Sequence, residues 1–187
     1  MNKARRGLLT GLVAVVTAMS ASCQQVHAAS ARQINQQVDQ ALHTLYATQP
    51  RARDLARHAK AVLVFPKILK AGFLVGGQGG EGALRVGGRS VGYYNIAAAS
   101  FGLQAGAQSF SYVLFFMNDA ALKYLQDSHG WSIGSGPSVV VVDQGAAASI
   151  TSATLTQDVY AFPFGQRGLM AGIGLEGSKI SEIQPSP

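Results

Sequence analysis

Ser109-Phe110-Ser111-Tyr112-Val113-Leu114-Phe115-Phe116-Met117 opens with polar and apolar side chains in alternation and then becomes apolar at every position. A period of two marks a strand with one wet face, and an unbroken apolar run marks a strand covered on both. The stretch therefore reads as a strand entering the middle of a core. Around it, short runs rich in Val, Phe, Tyr and Leu stand between glycines at residues 72–75, 83–86, 91–94, 138–142, 158–162 and 169–175. These predict further strands joined by tight turns. Directly after the run, Asn118-Asp119 supplies an N-cap, and Ala121, Leu122 and Leu125 predict one short helix before Gly130.

Upstream the period changes. Ile34, Val38, Ala41, Leu42 and Leu45 recur at helical spacing, with Gln33, Gln36, Gln37, Asp39 and Gln40 on the other side. Gln49-Pro50 breaks this helix. A second, shorter pattern runs from Arg51 to about Lys60, placing Ala52, Leu55, Ala56 and Ala59 inward and Arg53, Arg57 and Lys60 outward. Pro66 is read as ending whatever precedes it. The sum is an α+β fold: N-terminal amphipathic helices followed by a glycine-rich, mainly antiparallel β-sheet closed into a sandwich or barrel. Strands do not alternate with long helices, which disfavours a doubly wound arrangement. Residues 31–183 form a single domain and 184–187 a tail. A composition of 48% hydrophobic and 13% charged residues over 187 positions excludes disorder.

The first residues concern address. Lys3, Arg5 and Arg6 precede an uncharged, largely apolar run at 8–19, the layout of a secretory signal and shorter than the roughly 20 residues of a spanning helix. Ser20-Ala21-Ser22-Cys23 resembles a bacterial lipobox, although Ser20 stands where leucine is usual. It would make 1–22 the signal peptide and Cys23 the lipidated first residue. The alternative cut follows Val26-His27-Ala28, discards Cys23 and releases a soluble periplasmic protein. If Cys23 is lipidated, Gln24 in place of aspartate points to the periplasmic face of the outer membrane. As the only cysteine, Cys23 forms no intramolecular disulfide. Either cut removes three cations and halves the formal net charge of +6, which weakens a nucleic-acid reading.

Two motifs imitate chemistry. Gly77-Gln78-Gly79-Gly80-Glu81-Gly82 satisfies G-x-G-x-x-G, but the following Ala83-Leu84-Arg85-Val86 continues as strand, so no helix N-terminus would face a pyrophosphate. Gly88-Arg89-Ser90-Val91-Gly92 satisfies G-x-S-x-G, yet it leads into a strand instead of the helix a nucleophile elbow needs. The histidines His27, His43, His58 and His129 form no H-x-x-x-H or H-x-H pair. The expectation is a protein that is not an enzyme and uses no cofactor or metal. Glu81 and Glu176, each followed by glycine, are read as shaping or hydrogen-bonding groups.

The basic segment says more. Arg51, Arg53, Arg57, Lys60, Lys67 and Lys70 crowd into residues 51–70 with Asp54 as the only acid. Such a cluster on an amphipathic element suits anionic lipid headgroups, and it equally suits an ordinary solvated helix face. DNA or RNA would use the same charges, but an exported protein does not meet them.

Three blocks decide between those readings. They are Lys60-Ala61-Val62-Leu63-Val64-Phe65-Pro66 continuing through Lys70-Ala71-Gly72-Phe73-Leu74-Val75-Gly76-Gly77 and Gly80-Glu81-Gly82; Ala99-Ser100-Phe101-Gly102-Leu103-Gln104-Ala105-Gly106-Ala107-Gln108-Ser109; and Arg167-Gly168-Leu169-Met170-Ala171-Gly172-Ile173-Gly174-Leu175-Glu176-Gly177-Ser178. Together they resemble the SYLF (Ysc84-related) domain family across about residues 33–183. The resemblance implies a non-enzymatic phospholipid-binding module whose lipid contact lies in the basic N-terminal part, matching Arg51 to Lys70 here. Some eukaryotic relatives bind actin; an exported bacterial protein does not meet actin, so that partner is not expected. The resemblance thus implies a cell-envelope protein contacting an anionic phospholipid or membrane surface. The alternative is a structural envelope lipoprotein that binds a protein partner without recognising headgroups. The stretch 131–159 departs from the family, and no site is assigned to it.

Overall fold

A computed structural model describes residues 29–128, 130–142, 156–168 and 177–187. The signal segment, Cys23, His129, Glu176 and the strand expected at 169–175 lie outside the described residues. Ser30 caps α1 (Ala31–Thr48) by accepting from the Gln33 N–H, and the Gln33 side chain accepts in return from the Ser30 N–H. The helix buries Ile34, Val38, Ala41 and Leu45, the expected stripe. Pro50, which lacks an N–H, opens α2 (Pro50–His58), where a first-turn donor has no helical partner in any case. Lys60 falls just beyond α2 and belongs to the link into the sheet.

Two very long strands follow: β1 (Ala61–Val86) and β2 (Arg89–Phe116), an antiparallel hairpin whose register runs from Ala61↔Phe116 to Val86↔Arg89. Gly87 and Gly88 close it at φ +56° and +81°, the left-handed pair that matches strand twist. Next come α3 (Asp119–Asp127), β3 (Gly130–Ser132), β4 (Val139–Val141), β5 (Val159–Gly168) and β6 (Lys179–Ile183). Asn118 caps α3 as expected, accepting from the Ala121 N–H at 2.8 Å. Among the described residues the strands make one curled six-stranded sheet of order β3-β6-β2-β5-β4, with β1 on the other edge of β2. Only β4 and β5 run parallel. The fold is α+β. The described helices, strands and core clusters all lie within residues 29–187, so a chain starting at Ala29 carries them all.

Two expectations are corrected. Pro66 does not end its segment: it sits inside β1 at a register shift between Phe65 and Ile68, where the missing N–H removes no ladder bond, and its carbonyl accepts from the Ser111 hydroxyl at 2.7 Å. The glycines from 72 to 82 are not turns between short strands. At Gly80 and Gly82 the second half of β1 returns against its own beginning, so closely that a Cβ on Gly82 would meet the carbonyl of Val64 and one on Gly80 that of Lys67. The sheet curls because these positions have no side chain.

The curl explains the double-faced run. Phe110, Tyr112, Leu114 and Phe116 point into the curl with Leu63, Phe65, Ile96, Trp131 and Ile180. Val113 and Phe115 face outward, where α1 and α2 cover them with Ile34, Val38, Leu45 and Leu55. One strand thus serves two cores.

Asp158 ties three elements at the sheet margin. Its carboxylate accepts from Asn118 Nδ2 (2.7 Å), the Ser138 N–H (2.8 Å) and the Ser138 hydroxyl (2.9 Å). The Ser138 backbone bond first, then the Asn118 and Ser138 side chains, hold its pKa below the ordinary value of 3.8. A depressed carboxylate contributes stability above its unfolded pKa and loses it as pH falls through the folded one. Stability should therefore decline below about pH 4 by an increment that Asp158→Asn lacks. Denaturant titrations of both proteins from pH 6 to pH 2 check this; parallel curves would remove the assignment.

Candidate functional site

The six basic residues at 51–70 separate into groups. Ala52 and Leu55 hold α2 against the sheet, which turns Arg51, Arg53 and Arg57 outward on one short helix. Asp54 pairs with Arg57 and, at 3.9 Å, with Arg51, in an arrangement about half exposed or more. Exposed pairs of this kind contribute little to stability and leave the arginines accessible. Arg53 lies over the Tyr46 ring, 5.9 Å from its centroid. Burial pushes the Tyr46 pKa up, and the Arg53 charge draws it partly back.

Lys60 follows the helix, with its N–H bound to the Phe116 carbonyl (2.7 Å) and its ammonium 3.8 Å from Asp119. Lys67 is exposed on β1, whereas Lys70 is only 9% exposed. The structure thus corrects the placement of Lys70 on a basic surface. Residues 67–70 are strand and not helix, so alternate side chains face opposite ways: Ile68 and Lys70 inward, Lys67 and Leu69 outward.

α2 therefore presents charge and no apolar face. An interfacial helix reaches into a bilayer with its hydrophobic side, and here that side packs on Val64 and Phe115 within the helix-facing core. As folded, α2 can meet headgroups only through its arginines.

Lys67 also lines a groove of about 450 Å³ between α1 and the sheet, together with Gln37, Gln40, Thr44, Ser111 and Arg167. Arg167 belongs to β5 and is in register with Ser109. Sequence reasoning passed over it because its nearness to Lys67 is created by pairing across three strands.

The motif residues take structural places. Gly77 to Gly82 lie within β1, paired with residues 94–99. Glu81 accepts from the Ala29 N–H at 3.1 Å. Ser90 begins β2, donating to Asn35 Oδ1 at 2.6 Å, while Asn35 Nδ2 donates to the Tyr93 hydroxyl at 2.9 Å. Arg85, 14% exposed, pairs with Asp39 at 2.8 Å. These contacts fasten α1 to the hairpin. Among the described residues no three His, Cys, Asp or Glu side chains gather as metal ligands, and no helix is long and apolar enough to cross a membrane.

Residues 97–185 match the Ysc84 family, described as Las17-binding protein actin regulator. The match runs from the middle of β2 through β6 and leaves the helices α1 and α2 and strand β1, with the basic segment, outside it. No curated protein matches the chain.

Proposed function

The chain belongs to the Ysc84 (SYLF) family through residues 97–185, and from that premise we propose that it is a non-enzymatic phospholipid-binding protein of the bacterial cell envelope. The family is associated in general with lipid or membrane and protein binding. In this reading residues 1–22 direct export, Cys23 carries the lipid anchor, and Arg51, Arg53 and Arg57 touch anionic headgroups. The observation that carries it is the exposed arginine face of α2, whose other face is already buried. The actin role in the family's description is not extended to an exported chain.

The test is co-sedimentation of the chain starting at Ala29 with neutral and with anionic vesicles. A cation near an anionic surface contributes about 1 kcal/mol, so three would amount to about 3 kcal/mol before Asp54 offsets a share. Arg51→Ala/Arg53→Ala/Arg57→Ala should weaken binding to anionic vesicles at least tenfold (about 1.4 kcal/mol) and flatten its salt dependence. Equal binding of the unaltered chain to neutral and anionic vesicles, or an unaffected variant, would instead favour an envelope protein that docks a protein partner.

A further inference from the structure

The arginines account for attraction to a charged surface and leave insertion without an agent, since the apolar side of α2 is covered. A different element offers one. On the middle of β1, Leu69, Phe73 and Val75 are 55%, 73% and 61% exposed, and Ala71 between them is exposed as well. They occupy alternate positions, so the face of the strand opposite buried Ile68 and Lys70 is an apolar stripe open to solvent. Across the hairpin, Ala71 pairs with exposed Ala107, and Gly77 with exposed Ala99. No charged residue occurs at 71–80 or at 90–118. A soluble surface rarely leaves a phenylalanine this bare within such a stretch, and exposed patches of this kind mark interaction sites.

The charges at the end of the stripe indicate what covers it. Leu69 is in register with Ser109, and Ser109 with Arg167, so an arginine stands two strands from the first apolar residue. Lys67 is two positions before Leu69 on the same strand face and shares the groove with Arg167. Apolar side chains followed by cations reproduce the layering of an anionic bilayer, in which acyl chains give way to phosphates over a few ångströms.

We propose that Leu69, Phe73 and Val75 insert into the boundary between acyl chains and headgroups, with Lys67 and Arg167 at the rim binding lipid phosphate. The proposal rests on the membrane-binding function above and adds the element that enters the membrane. In it, α2 attracts the protein to the surface and the hairpin holds it there.

Phe73→Trp tests this directly in the chain starting at Ala29. The only native tryptophan, Trp131, is fully buried, so the difference from the unaltered protein isolates the introduced indole. On anionic vesicles that indole should shift its emission to the blue and be quenched by brominated acyl chains. Phe73→Asp should weaken vesicle binding at least tenfold while leaving the melting temperature unchanged, since the side chain packs against little. An indole that stays open to aqueous iodide on vesicle-bound protein would overturn insertion and leave membrane binding in place. Absence of any vesicle binding would overturn both. A variant whose only change is a shift from dimer to monomer would assign the stripe to a second copy of the chain and overturn the proposal.

Discussion

Replacing Gly82 by alanine is expected to lower stability by about 3 kcal/mol or more, a large loss for one added methyl group at a buried position. The new Cβ would collide with the Val64 carbonyl and come within 2.8 Å of the Phe65 ring. Neither neighbour can yield easily. Val64 and Phe65 are fully buried and paired with Val113 and Tyr112, so moving them would disturb both cores at once. For a domain of this length each kcal/mol corresponds to about 2–4 °C, which puts the fall in melting temperature at roughly 10 °C. Gly79→Ala is the control. Its Cβ would find only the Ile96 carbonyl, at 3.6 Å, an ordinary contact, and its effect should stay within about 1 kcal/mol of zero. Similar melting temperatures for the two variants would show that the return of β1 on itself is not held by contact at Gly82.

The second large effect is expected at Trp131. It is fully buried inside the curl, tilted against Phe116 with ring centroids 6.0 Å apart, and its indole N–H donates to the Ser135 carbonyl at 2.9 Å. Trp131→Ala should cost about 3–5 kcal/mol through lost burial and the cavity left behind. Part of the loss should appear as detachment of β3, a three-residue strand paired only with β6 among the described residues. Trp131→Phe retains most of the apolar contact and should cost less than half as much. Urea unfolding followed by far-ultraviolet circular dichroism checks both, because the variants carry no tryptophan to follow. Equal losses for Ala and Phe would mean that the indole hydrogen bond, and not the packing, holds the site.

These sites also show what a sequence reveals and what it withholds. α1 was legible because Ile34, Val38, Ala41 and Leu45 repeat with the helix, and α3 because Asn118 announces it. The two-faced character of β2 was legible from the loss of alternation after Val113, since covering both faces of one strand needs a layer on each side. The length of β1 was not. A glycine marks a turn or a place where backbone comes close, and only the return of β1 to Val64 and Lys67 distinguishes the two at Gly80 and Gly82. For the site, helical spacing located Arg53 and Arg57 on the outer face of α2. Lys70 was grouped with these cations by closeness in sequence alone, and the period of two in β1 turns it inward. Arg167 had no local signal at all, being joined to Lys67 by strand register across a hundred residues of sequence.

The ends of the described chain carry a last consequence. The Ala31 N–H donates to the Ser186 carbonyl at 2.8 Å, so residues 184–187, irregular as a tail should be, are fastened to the first turn of α1. Entry and exit of the polypeptide coincide, and the path between them is nearly a ring. Anything joined covalently before Ala29 or after Pro187 departs from one pole. A cargo fused at either end would hang from the same point.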